Sequence, residues 1–70
     1  MEIIKIETEY ITLAQFLKIV GLIDTGGQAK YFLLENKLLL NNELESRRGK
    51  KVYQGDIIKI GKEEFIIKND

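Results

Sequence analysis

Two T-x-x-Q signatures, Thr12-x-x-Gln15 and Thr25-x-x-Gln28, mark helix starts in the first half of this 70-residue chain and constrain its fold more than any other feature. In such a capping box the Thr hydroxyl takes the N–H three residues on, and the Gln side chain reaches back to the Thr N–H. Two otherwise orphaned donors are satisfied at once. The first box is reinforced by Ile11 and Phe16 at the positions of a hydrophobic staple, and by Leu13, Phe16, Leu17 and Val20 at helical spacing. Gly21 reaches positive φ without a Cβ clash and ends the helix, which is expected to run from Leu13 to Val20. The second box opens a helix whose first turn holds Gly26 and Gly27, each about 1 kcal/mol poorer than Ala in helix propensity. Either something approaches that turn closely, or a frayed first turn tolerates the pair. Ala29, Phe32 and Leu33 should face the core and Lys30 the solvent, with Asn36 stopping the helix in a left-handed conformation.

Beyond Asn36 the texture changes to strands and turns. Asn41-Asn42 separates Leu38-Leu39-Leu40 from Glu43-Leu44-Glu45, as a tight hairpin requires. Gln54-Gly55-Asp56 is a further turn, and Gly61-Lys62 joins Ile57–Ile60 to Glu64–Ile67 in a second hairpin. The β-branched run Glu2–Glu7 suggests one more strand at the start. With no repeat, low-complexity tract or linker, residues 1–70 are expected to form a single α+β domain, two early helices packed on a small, mainly antiparallel sheet. A core of this size is modest, because a chain this short buries only about 60% of its unfolded surface.

The chain has no Cys, His, Pro or Trp. There is no disulfide or thiolate metal site to staple the fold, and the commonest zinc ligand and general base is missing. Nucleophilic catalysis needs a base beside Ser, Thr or Tyr, so an enzyme is not expected, nor any cofactor or metal. Glu63-Glu64 are neighbours on a strand and point to opposite faces, which suits a solvated hairpin end better than acid–base work. MEIIKIETEY holds no apolar stretch of signal-peptide or membrane-span length, so a cytoplasmic protein without membrane contact is expected.

Eleven basic and eleven acidic residues cancel overall, but not locally. Residues 1–27 carry two lysines against four carboxylates, residues 28–51 six cations against three, and residues 52–70 three against four. Four of the central cations fall within Arg47-Arg48-Gly49-Lys50-Lys51, where clustered charge gains affinity by displacing counterions from phosphates. Tyr53 and Tyr31 offer rings for base stacking or simply for packing. Leu39 should point away from Leu38 and Leu40, into a second contact or onto an exposed face.

The ordered set Leu13-x-x-Phe16-Leu17, Gly21-Leu22, Thr25-x-x-Gln28-Ala29-Lys30, Leu38-x-Leu40-Asn41-Asn42 and Gly55-Asp56-x-Ile58 resembles the RNA-binding domain named after ribosomal protein S4, the alpha-L RNA-binding motif, over roughly residues 11–60. Gly26-Gly27-Gln28-Ala29-Lys30 with Glu45-x-Arg47-Arg48-x-Lys50-Lys51 is similar to its small stand-alone bacterial members. The resemblance implies a non-enzymatic protein that binds structured RNA, with ribosomal RNA and ribosomal particles as partners and ribosome assembly as the setting. It implies contacts from Thr25, Gln28, Lys30, Arg47, Arg48, Lys50 and Lys51. The chain departs from the family pattern at Thr12, where an Arg is common, and at Thr25-Gly26, where Ser-Arg is common, so it lacks two cations. The competing expectation is a protein-interaction adaptor that uses Leu39 and the acidic ends and binds no RNA directly.

Overall fold

A computed structural model describes residues 1–69. Ten short elements succeed one another: β1 (Glu2–Ile6), β2 (Tyr10–Thr12), α1 (Leu13–Ile19), a 3₁₀ turn (Gly26–Gln28), α2 (Ala29–Glu35), β3 (Leu38–Leu40), β4 (Glu43–Leu44), β5 (Lys51–Tyr53), β6 (Ile57–Ile60) and β7 (Glu63–Asn69). The main sheet has the order β1-β7-β6-β3-β4. Among the described residues only β1 and β7 run parallel, with Ile4 opposite Ile67. The fold is therefore α+β on a mainly antiparallel sheet, as the sequence implies.

Strand alternation decides which face the helices cover. Ile4, Ile6, Leu38, Leu40, Ile58, Phe65 and Ile67 are buried from the sheet, and Leu13, Phe16, Leu17, Ala29 and Leu33 meet them from the helices. The Phe16 and Phe65 rings pack edge to face, 5.1 Å between centroids, in the middle of this core. On the opposite face Leu39 is half-buried beside Lys59, which bridges to Glu64 at 3.2 Å.

Helix α1 obeys its signals closely. The Gln15 N–H donates to Thr12 Oγ1 (3.2 Å) and the Thr12 N–H to Gln15 Oε1 (2.8 Å). At the other end Gly21, at φ +79°, closes a Schellman motif: its N–H donates to the Lys18 carbonyl and the Leu22 N–H to the Leu17 carbonyl. The second box also closes, but the turn after it differs from expectation. Gly26 and Gly27 form a 3₁₀ turn, and the α-helix proper begins at Ala29. Neither glycine has positive φ, and a Cβ at Gly26 would meet nothing within 4 Å, so no close approach within the chain accounts for the pair. Asn36 does end α2, but in extended conformation (φ −128°, ψ 136°) rather than left-handed. Its Nδ2 and its N–H both donate to the Phe32 carbonyl, and its extended ψ carries the chain out of the helix.

The Asn41-Asn42 hairpin is as expected, both residues at positive φ (52° and 70°). The C-terminal half, however, is not one sheet. β5 leaves it and pairs with β2 in a separate two-stranded ribbon, Tyr10 opposite Tyr53, Ile11 opposite Val52 and Thr12 opposite Lys51. Ile11 and Val52 are buried beneath this ribbon, while the two tyrosines face outward.

Candidate nucleic-acid interface

The segment Glu45–Lys51 joins the main sheet to the β2–β5 ribbon, and its backbone is tied down at several points. The Lys50 carbonyl accepts from the Leu13 N–H (2.9 Å) and the Arg48 carbonyl from the Ala14 N–H (3.0 Å). With Thr12 Oγ1 on the Gln15 N–H, the first three amides of α1 all have acceptors. The basic loop therefore seats itself on the start of α1 through carbonyl groups. A turn from the Lys50 N–H to the Arg47 carbonyl (3.1 Å) shapes its tip. Among the described residues, the Arg48 and Lys50 side chains make no hydrogen bond or ion pair.

Arg47 behaves differently. Its Nε donates to Glu45 Oε2 and its NH2 to Oε1, both at 3.0 Å, while Oε2 also accepts the Ser46 and Arg47 N–H groups. The Glu45 side chain is only 12% exposed, whereas that of Arg47 is 71% exposed. Hydrogen bonding by the guanidinium is the main cause that holds the Glu45 carboxyl down at about 2, and the carboxylate in turn raises Arg47. The sequence offers four cations in this run. The structure neutralises one locally, and Arg48, Lys50 and Lys51 have no carboxylate partner among the described residues.

A groove of about 410 Å³ lies along this loop, lined by Arg47, Gly49, Lys50, Lys51 and Tyr53, with no carboxylate in its wall. A larger one of about 590 Å³ continues toward the hairpin; it shares Lys50, Lys51 and Tyr53 and is lined also by three carboxylates, those of Glu43, Glu45 and Asp56. Neither includes Thr25, Gln28 or Lys30. Those three lie on the 3₁₀ turn and the first turn of α2. The Gln28 side-chain oxygen is occupied there by the Asp24 N–H (2.6 Å) and the Thr25 N–H (3.0 Å). The structure thus gathers Arg47, Lys50 and Lys51 along one groove and keeps Arg48 on the same loop, while Thr25, Gln28 and Lys30 are not among that groove's lining.

This chain has the α+β fold of the family that it resembles, and the S4 domain family matches it over residues 4–68. The chain belongs to the S4 domain family. It is also 53% identical over 57 residues, 81% of this chain and 80% of the other, to a probable ribosome maturation protein, RlbA, of Bacillus subtilis (strain 168). As an S4 domain the chain is a member of an RNA-binding family, and among its described residues no helix is long and apolar enough to cross a membrane.

Two features of the interface are not legible in the sequence. Tyr10 is one, because β2 is three residues long and its alternation is masked by the staple position of Ile11. The other is a polar clasp behind the groove. Asp56 Oδ2 accepts the Tyr53 N–H (2.8 Å), Asp56 Oδ1 accepts Asn41 Nδ2 (3.1 Å), and Asn41 Oδ1 accepts the Ile57 N–H (2.9 Å). Gly55-Asp56 reads as a turn in the sequence, which gives no sign that the Asn41 side chain reaches it.

Proposed function

We propose that this S4 domain acts as one non-enzymatic RNA-binding unit over residues 1–70, recognising structured ribosomal RNA during ribosome maturation in the cytoplasm. The observation that carries the reading is the basic loop, whose backbone is pinned to α1 while Arg48, Lys50 and Lys51 have no carboxylate partner among the described residues. A rigid backbone presenting unneutralised cations binds phosphate with little ordering cost, and RNA folds are recognised through phosphate and shape. The likeness to a probable ribosome maturation protein supports the ribosome as the setting. Thr25, Gln28 and Lys30, on the 3₁₀ turn with its cap and the start of α2, complete the set of RNA contacts in this reading.

The test is binding to ribosomal RNA across a salt series, with an Arg48→Ala/Lys50→Ala variant alongside. Wild type is expected to lose affinity log-linearly with salt, and the variant's slope to shrink by about 0.7–0.9 for each phosphate it no longer neutralises. No binding at low salt, or an unchanged slope, rules the reading out. A protein contact is favoured beside the RNA contact at one place: Leu34 and Leu44, both strongly exposed, border a groove between α2 and β4.

A further inference from the structure

We propose that the outer face of the β2–β5 ribbon is a stacking site for one unpaired nucleotide, so that the RNA recognised by this protein carries a bulged or looped-out base beside its helix. The proposal rests on the RNA-binding reading and adds to it the kind of RNA element bound. Directly opposed residues of an antiparallel pair share a face, which puts Tyr10, Tyr53, Thr12 and Lys51 together on the outside. The Tyr10 and Tyr53 rings lie 5.6 Å apart, inclined at 48°, and Lys51 Nζ sits 4.7 Å from the centre of the Tyr10 ring. Lys51 and Tyr10 thus form a cation–π pair at the edge of the groove.

Core packing does not account for these rings. Tyr10 and Tyr53 remain 37% and 42% exposed, while Ile11 and Val52 between them supply the ribbon's buried contacts. Neither phenol oxygen has a hydrogen bond among the described residues. The Tyr53 ring borders the groove of about 410 Å³ that Lys50 and Lys51 also line, beside an Arg47 held by Glu45, so an aromatic surface and two cations share one cleft. That pairing matches a single nucleotide, whose base needs a π surface and whose flanking phosphates need cations. A continuous duplex hides its base faces and leaves the rings unused. A base turned out of the stack can reach Tyr53 while its backbone stays on Lys50 and Lys51.

The experiment uses three RNA hairpins of equal charge, one fully paired, one with a single-nucleotide bulge, and one with an abasic residue in the bulge. Each is titrated by fluorescence anisotropy with wild type, Tyr53→Leu and Tyr53→Phe. Wild type is expected to prefer the bulged hairpin about 5- to 100-fold over the paired one, and the abasic residue should remove most of that preference. Tyr53→Leu should lose the preference and Tyr53→Phe keep it, both with the wild-type salt slope, because no charge has changed. Equal affinity of wild type for all three hairpins overturns the proposal and leaves the RNA-binding reading standing. So does a Tyr53→Leu variant that discriminates like wild type. Failure to bind any hairpin at low salt removes both. The abasic arm needs no substitution in the protein, so the outcome does not depend on whether Tyr53→Leu folds.

Discussion

Replacing Asp56 by Ala removes two acceptors that hold the groove wall together, those of the Tyr53 N–H (2.8 Å) and Asn41 Nδ2 (3.1 Å). A hydrogen bond to a charged group contributes about 1.5–3 kcal/mol when buried, and Asp56 is half-exposed, so water recovers part of the loss. The net cost should be about 2–3 kcal/mol. For a domain of this length that corresponds to a fall in melting temperature of roughly 14–20 °C. Thermal and urea denaturation monitored by circular dichroism would measure it. Geometry sharpens the test. Asp56→Asn alone turns an amide NH2 toward the Asn41 NH2, and Asn41→Asp alone sets carboxylate against carboxylate, so each is destabilising. In the Asn41→Asp/Asp56→Asn exchange, the carboxylate now at position 41 can accept from the Ile57 N–H and from the amide NH2 now at position 56. The amide oxygen at position 56 still accepts from the Tyr53 N–H. The double variant should therefore recover most of the stability that the single variants forfeit, a coupling of about 1–2 kcal/mol. Additive losses, or an Asp56→Ala variant within about 2 °C of wild type, would refute the clasp as a source of stability.

The same geometry sets other outcomes. Exchanging both Glu45 and Arg47 for Gln removes an ion pair without changing net charge, so the salt slope of RNA binding should match wild type, in contrast to Arg48→Ala/Lys50→Ala. Glu45 is held at about 2 in the folded protein against 4.5 ordinarily, so its contribution to stability is full above pH 4.5 and is lost as pH falls toward 2. Glu45→Gln should flatten the loss of stability over that interval in acid titration. Gly26→Ala meets no steric obstacle at an ordinary φ and should raise stability by about 0.4–1 kcal/mol in thermal melts, with RNA affinity unchanged. Phe16→Ala removes a fully buried ring packed edge-on against Phe65 and should cost about 3–5 kcal/mol, enough to leave much of so small a domain unfolded at 37 °C by the same melts.

How much of the interface the sequence discloses depends on the range of the interaction concerned. The Arg47–Lys51 cluster is visible because charge density is a local property of the chain, and both capping boxes and the Asn41-Asn42 turn are visible because each closes within a few residues. The neutralisation of Arg47 also spans two residues, yet composition does not reveal it. Whether Glu45 turns toward Arg47 or outward depends on a backbone fixed by α1. The expectation of one face shared by α2 and the basic loop rests on family likeness rather than on any local signal in the chain.

The sequence by itself determined the helix starts, the stop at Gly21, the hairpin turns and the alternation that buries one face of the sheet, because periodicity and backbone preference act over one to four residues. It also located the positive charge. Tertiary structure alone decided that β1 would lie parallel to β7 from the opposite end of the chain, that β5 would leave the main sheet for β2, and that Tyr10 and Tyr53 would meet on an outward face. Strand partners are chosen by which arrangement buries the most apolar surface while satisfying every backbone group, a property of the whole chain that no short window of sequence contains.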